Sequence, residues 1–340
     1  VSGHLTIHAA GPGSSVQDMG RAGFLAYGLT RGGAADQMAL HEAAALLGQS
    51  ATLGAIEMVG VGGTFESDVD TVIALTGAEM SASIDGSALV WHASHALPKG
   101  AKLKIGGALK GTYGYLSVAG GIEAPQIMGA RSTHFKAGIG GALEAGQSLP
   151  IGVTPTQRAG FVIHASGRFA GGDIRIVPSV QTDQFSPETL ARFTQTTFRR
   201  DARGNRQGVR MDADTDGFFV DGGLSIVSEV ITEGDIQITG DGAPYVLMCE
   251  CQTTGGYPRI GTVLPCDLAR VAQAPVGAPL RFRFVTMDEA REIELKARAE
   301  IKALAGRAQP LVRNPHEMSD LLSYQLIGGA ISATTDPFAD

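Results

Sequence analysis

YVLMCECQTTGGYPRIG (residues 245–261) poses the question on which the reading of this chain turns. An apolar run with strand character stops abruptly at Gln252, and two threonines, two glycines, a tyrosine and a proline follow without a break. A turn needs one or two glycines. This one also carries an amide, two hydroxyls and a phenol at the end of what reads as a rigid strand. Gln252, Thr253, Thr254 and Tyr257 are therefore candidates for fixing an amide- or urea-like ligand by hydrogen bonds, with a capped turn as the structural alternative.

The rest of the chain has the same texture. A length of 340 residues suggests two domains, and 44% hydrophobic content is ample for a core and excludes a disordered protein. The 47 glycines are twice the usual share of ~7%. They follow no G-X-Y period, which excludes collagen and points to many short strands joined by tight turns. A net charge of −7 without a long Lys/Arg cluster argues against nucleic acid or an anionic membrane as partner. No apolar run approaches the ~20 residues of a membrane span. VSGHLTIHAAGPG (1–13) has no basic segment leading into an apolar one, so a cytoplasmic location is expected. Cys249, Cys251 and Cys266 are odd in number and lack Cys-x-x-Cys spacing; packed thiols are expected, not a disulfide or zinc framework.

Strand-like runs occur at 4–8, 71–76, 102–106, 113–119, 161–164, 174–178, 224–228, 235–239, 245–249 and 280–285. Three segments read as helices. Residues 36–48 open on an N-cap Asp36 and end at Gly48. Residues 186–198 open on Ser186 as N-cap with Pro187 in the first turn. Residues 287–305 place Ile293, Ala297, Ile301 and Leu304 on one stripe of an otherwise charged helix. A weak repeat runs through the chain: Glu57 and Gly62 match Glu229 and Gly234, Gly100 and Leu103 match Gly277 and Leu280, and RGG (31–33) matches RQG (206–208) in position. Two related β-domains from an internal duplication are expected, residues 1–155 and 156–286, followed by a C-terminal helix and tail over 287–340.

Motifs for other chemistries are missing. The chain has no Walker-type phosphate loop, no Gly-x-Gly-x-x-Gly after a strand, no His-Glu-x-x-His, and no lysine between methionines that would carry biotin. No metal site is evident, and the pair His92 and His95 reads as structural or surface. Two constellations stand beside the opening loop. In SSVQDMGRAG (14–23), Gln17, Asp18 and Arg21 occupy a glycine-bounded loop where Asp18 could orient Arg21 toward a carboxylate or phosphate; an intraloop salt bridge is the alternative. In GGIEAPQIMGARSTHFKAGIGG (120–141), Arg131, Ser132 and Thr133 lie among glycines that let backbone N–H groups approach an anion; a surface loop is the alternative. Arg206 and Arg210 in NRQGVRM could add charge to the opening loop. No nucleophile–base pair is visible, so no catalytic residue is assigned.

Taken in order, VQDMGRAG (16–23), GGAADQMAL (32–40), IALTGAE (73–79), YLSVAGGIEAPQIMGARST (115–133), NRQGVRMD (205–212), GDIQITGDGAPYVLMCECQTTGGYPRIGTVLPCDLARVAQ (234–273) and GAPLRFRFV (277–285) resemble one family. It contains the C subunit of bacterial ATP-hydrolysing 5-oxoprolinase, the allophanate hydrolase subunit 2 domains and the kinase anti-inhibitor proteins. The resemblance implies a mainly β fold with a few helices, built from two cyclophilin-like β-barrel domains. It implies opening of 5-oxo-L-proline to L-glutamate with ATP hydrolysis by the complex as a whole, together with a protein like the oxoprolinase B subunit in a close heteromer and a protein like the A subunit. It leaves open a regulatory binding module that relieves inhibition of a histidine kinase, and a biotin-dependent carboxyltransferase component of a urea carboxylase-like system. The chain departs from the family pattern in GGALEAGQSLP (140–150), which lacks an arginine, and at Val209, where an aromatic is commoner.

Overall fold

Alternation in PLRFRF (279–284) buries Leu280 and Phe282 and turns Arg281 and Arg283 outward, as a strand with one face on a core must. Seven short strands of this kind close into a barrel in the second half of the chain, in the order 172–177, 259–263, 235–238, 244–247, 208–212, 198–200 and 279–284. Closure removes every free edge. It is completed by a parallel pair in which Gly172 faces Leu280 and Ile176 faces Phe284. The computed structural model describes residues 2–154, 158–220 and 226–312.

Helix α1 spans Gln37–Leu47, with Asp36 accepting from Ala39 N and Gly48 left-handed at its end. Helix α2 spans Pro187–Gln195; Ser186 Oγ accepts from Thr189 N at 3.2 Å. It ends three residues before the expected 198, because Phe198 already belongs to a barrel strand. Phe193 of α2 plugs one end of the barrel, stacked on Phe282 at 5.1 Å between ring centres and packed against Phe198 and Phe218. Helix α3, Pro265–Gln273, is not among the helices read from the sequence. Its signals are Pro265 in the first turn and Asp267 beside it, in a segment too short to show clear periodicity. Helix α4, Met287–Ala303, carries a capping box between Thr286 and Glu289 and half-buries the expected stripe of Ile293, Ala297 and Ile301.

The first half forms an eleven-stranded sheet in the order 309–310, 161–162, 93–97, 71–84, 102–118, 63–67, 3–10 and 148–151, with 15–17, 55–59 and 87–88 branching from it. The mainly β fold with a few helices is as expected; ring closure occurs in the second half, and the first is a branched sheet. Lys102–Val118 is one strand, where the sequence suggests two runs. Gly106, Gly107, Gly111 and Gly114 let it bend, and its ladder with Thr71–Ile84 shifts register three times between Gly77 and Ala82. The strand expected at 224–228 is replaced, within the described residues, by the short pair Glu229–Val230 with Thr254–Gly255. Its partner is a two-residue piece of the glycine loop, too short to extend the ladder. The expected boundary at 155/156 and the tail beyond 312 lie outside the described residues. Past that boundary Phe161–Val162 still joins the first sheet.

The two units share one core. Ala34, Ala35, Leu40, Tyr113 and Tyr115 of the first pack with Ile174, Phe193 and Val271 of the second. Three arginines stitch the junction. Arg206 donates from Nε to Glu250 Oε1 at 2.6 Å, from Nη1 to Glu57 and from Nη2 to the carbonyl of Gly33. The other oxygen of Glu57 accepts from Ala35 N at 2.9 Å and from the Tyr115 hydroxyl at 2.7 Å. Arg168 reaches Asp36 at 2.7 Å and both oxygens of Glu42, and Gln273 of α3 donates to the same Asp36 at 2.8 Å. Arg31 grips Glu233 with 2.9 and 3.0 Å bonds. Arg31 and Arg206, matched by the weak repeat, therefore reach acids of opposite units. His92 packs against the Phe169 ring and His95 bonds the Val90 carbonyl.

Arg206→Ala would leave Glu57 and Glu250 buried without a counter-charge. It is expected to lower the unfolding free energy by about 3–5 kcal/mol, read from the urea midpoint. Arg210→Ala, which breaks more exposed pairs with Asp212 and Asp241, is expected to cost about 1 kcal/mol or less.

Candidate functional site

The strand Pro244–Leu247 ends in a tight turn, Cys251 N bonding Met248 O at 3.0 Å, and Glu250 N returns to Arg206 O at 2.8 Å. Gln252 therefore leaves the barrel from a point fixed by the buried arginine network. The loop that follows crosses toward the first unit. Together with Gly28–Thr30 and His134–Ala137 it encloses an open cleft of about 580 Å³. Gln252, Thr253, Thr254 and Tyr257 all line it. Their side chains make no hydrogen bond to other described residues, so they do not cap the loop. Backbone contacts hold it instead, Ile231 N to Thr253 O and Ile226 N to Gly256 O, both 3.1 Å. Gly255 lies close to the barrel: a Cβ there would meet the end of the Gln237 side chain, Nε2, at 2.5 Å.

Gln237, Lys136, His134 and Thr30 also line the cleft, and the sequence alone does not single them out. Gln237 is buried on the barrel strand Asp235–Ile238, and its Nε2 has no hydrogen-bond partner. A buried, unpaired amide N–H₂ is costly unless a ligand or water carbonyl meets it. The Lys136 ammonium makes no ion pair with any described residue. His134 is held at both ring nitrogens: Ala137 N donates to Nδ1 at 3.2 Å and Thr30 Oγ1 lies 3.1 Å from Nε2, while Thr30 Oγ1 itself donates to Cys251 O at 3.2 Å. That pattern fits the neutral ring with the proton on Nε2. Burial holds the His134 pKa below its ordinary value; nearby Glu250 opposes the shift, and Arg21 and Arg206 add to it. Cys251 faces the cleft as a thiol, its pKa raised to about 12 by burial. The groups available are thus donors and acceptors without an activated nucleophile. Only a motif search for lone polar residues on apolar strands would flag Gln237, and such residues are common.

The other candidates lie elsewhere. Gln17 is buried and donates to Ser15 Oγ at 2.9 Å and Thr133 O at 3.2 Å, with its Oε1 unpaired. Asp18 does not bond Arg21; its oxygens accept from Gly20 N at 2.8 Å and Arg131 N at 2.6 Å, bracing the two loops against each other. Arg21 is buried, its pKa lowered by burial against the pull of Asp18, and donates to the carbonyls of Ser132 and Ile127. Arg131 is taken up by Glu123 at 2.6 Å and the Ala124 carbonyl. Ser132 and Arg131 border a separate hollow of about 430 Å³. Arg206 lies behind the cleft as part of the junction, and Arg210 pairs with Asp212 and Asp241 away from it. Among the described residues no group of three or more His, Cys, Asp or Glu side chains is placed to hold a metal ion. No helix among them is long and apolar enough to cross a membrane.

Residues 27–284 match the family model described as carboxyltransferase domain, subdomain A and B. The chain is 34% identical over 301 residues to the C subunit of 5-oxoprolinase from Escherichia coli, covering 87% of this chain and 94% of that protein. It is 30% identical over 297 residues to the 5-oxoprolinase C subunit of Haemophilus influenzae, covering 83% and 92%. Urea amidolyase of Saccharomyces cerevisiae is 26% identical over 327 residues, spanning 89% of this chain but 18% of that protein. Among solved structures, the urea amidolyase of K. lactis superposes with a TM-score of 0.78 at 22% identity over 92% of this chain and 21% of that one. TTHA0988 superposes at 0.75 with 28% identity over 83% of this chain, which spans 56% of it.

The neutral His134 gives a pH prediction. A folded-state pKa below the unfolded one means that the unfolded chain takes up the proton first as pH falls, so this stabilisation is complete above about 6.5 and declines below it. His41, His92 and His95 are pushed the same way by burial, so the site is read individually. The His134 ring resonance in an NMR titration is expected to move with a midpoint below 6.5, and Thr30→Val is expected to lower stability by about 1–3 kcal/mol by unpairing the buried ring N–H.

Proposed function

The chain belongs to the carboxyltransferase subdomain A and B family, and on that premise we propose that it is the C subunit of an ATP-dependent 5-oxoprolinase. In this reading it acts with the A and B subunits to hydrolyse 5-oxo-L-proline to L-glutamate in the cytoplasm. The observation that carries the reading is the buried, unpartnered Gln237 Nε2 facing a cleft in which the side chains of Gln252, Thr253, Thr254 and Tyr257 bond no other described residue. A lactam offers what that arrangement lacks: a carbonyl oxygen for Gln237, an N–H for the Gln252 amide or a threonine hydroxyl, and a carboxylate for the Lys136 ammonium.

The lactam is very stable at neutral pH, and ATP would supply the activation of its carbonyl oxygen in the assembled complex. The role of this chain is positioning and electrostatic stabilisation of a polar amide as charge develops on its oxygen. The cleft presents one free ammonium, and Arg131, Arg206 and Arg210 are engaged with carboxylates. That donor set suits a single carboxylate better than a nucleotide triphosphate, so we assign ATP binding to the partner subunits. The likeness to urea amidolyase supports a second reading, a carboxyltransferase acting on a urea-like amide, which the same donors would fit.

The test combines the chain with its A and B partners. Phosphate release is expected only when 5-oxo-L-proline is added, and Gln252→Ala or Gln237→Leu, with folding confirmed by circular dichroism, is expected to lower it about tenfold or more. Carboxylation of urea by the chain with a biotinylated carrier, in place of 5-oxoproline-dependent turnover, would favour the second reading.

A further inference from the structure

Arg200 is a buried arginine that neither a carboxylate nor a carbonyl of the described residues meets through its side chain. It ends the barrel strand Phe198–Arg200, and alternation places it on the inward face with Phe198 while Arg199 points out. Its side chain is 5% exposed. Its Nε is buried without a hydrogen-bond partner; Nη1 and Nη2 form no ion pair with the described residues and are not fully buried, so they open toward solvent. Burial lowers its pKa from the ordinary value, opposed only weakly by Tyr113 and Asp201. The adjacent acid, Asp201, is turned to Arg203, accepting from its backbone N at 2.6 Å and from Nε at 2.8 Å. A buried cation without a counter-charge costs several kcal/mol, whereas Arg206 and Arg168 nearby are each matched by two carboxylates.

Arg200 borders a cavity of about 310 Å³ at the junction of the two units, on its own lining and distinct from the cleft, with which it shares Lys136. Tyr113, Asn205 and Lys136 face the same space, and Pro12, Val59 and Phe135 supply apolar wall. Glu250 faces it too, but its oxygens accept from Arg206 Nε and Lys136 N. Arg200 offsets the single negative charge that the Glu57, Glu250 and Arg206 group leaves, and its Nε stays without a partner. The volume lies at the lower end for small-molecule sites, and a planar guanidinium pairs with a planar carboxylate through two parallel bonds. We propose that this cavity is a second ligand site, for a small carboxylate with a short apolar or polar body, bound through Arg200 and independent of the cleft under residues 252–257. The inference goes beyond the oxoprolinase reading and does not depend on it.

The experiment is calorimetry and thermal unfolding on the full chain with propionate and benzoate, which are not ligands of the proposed reaction, and inorganic phosphate as the non-carboxylate anion. At least one carboxylate is expected to bind saturably with Kd below about 1 mM, to weaken tenfold or more in Arg200→Gln, and to bind Gln252→Ala unchanged. Without ligand, Arg200→Gln is expected to melt no lower than the parent chain, because no bond is lost; the carboxylate raises the Tm of the parent and not of the variant. If Arg200→Gln does not fold, Tyr113→Phe carries the test, with a weakening of about threefold or more expected and unchanged binding overturning the proposal. Failure of every carboxylate to bind, equal binding by Arg200→Gln, binding lost in Gln252→Ala, or phosphate binding as tightly as the carboxylates would each overturn it.

Discussion

A single buried guanidinium holds this molecule in its working shape. Arg206 comes from the barrel, yet Glu57, which it meets, belongs to the first sheet, and Gly33, whose carbonyl it caps, leads into α1. Its third partner, Glu250, lies two residues before the cleft loop. Charges taken out of water are tolerable only when every donor and acceptor is met. Here the requirement extends outward: Glu57 must also receive Ala35 N and the Tyr115 hydroxyl, and that hydroxyl must receive Asp36 N. Shifting either unit by an ångström would break several of these bonds together, so the network fixes the mutual placement of the units more tightly than apolar packing could.

The cleft inherits that rigidity. Glu250 accepts from Lys136 N, which pins the short His134–Ala137 segment opposite the barrel loop. Thr30 then ties His134 to the Cys251 carbonyl, one residue before Gln252. The free side chains of the cleft are therefore mounted on a backbone whose own polar groups are satisfied elsewhere. A loop can position a ligand only if it does not itself collapse onto the donors it presents. At Gly255 the missing Cβ leaves room for the end of the Gln237 side chain where it stands.

Much of this is legible in the chain. The caps Asp36 and Ser186 and the stripe on α4 depend on contacts within a few residues, and they appear where local chemistry puts them. The abundance of glycine and of short apolar runs announces a mainly β protein with many turns, and QTTGGYP lines a cleft that its composition already suggests. Helix α3 escapes such a reading because its apolar residues are too few to establish a period, and because its stability comes from Val271 and Ala272 in a core shared by both units. The long strand Lys102–Val118 reads as two because glycines that normally end strands here let one bend.

Local chemistry along the chain settles which segments extend, where helices start, which loop is rich in hydrogen-bonding side chains, and to which family the order of motifs belongs. The division of labour among the arginines comes only from folding. Arg21, Arg131, Arg206 and Arg210 look alike as candidates in the chain, and nothing in the sequence singles out Arg200. The folded protein matches Arg131, Arg206 and Arg210 to carboxylates and Arg21 to backbone carbonyls, and leaves Arg200 buried without a partner beside a cavity. The physical reason is that a charge is defined by its neighbours, and the neighbours of these groups come from segments as far apart as 173 positions, for Arg206 and Gly33.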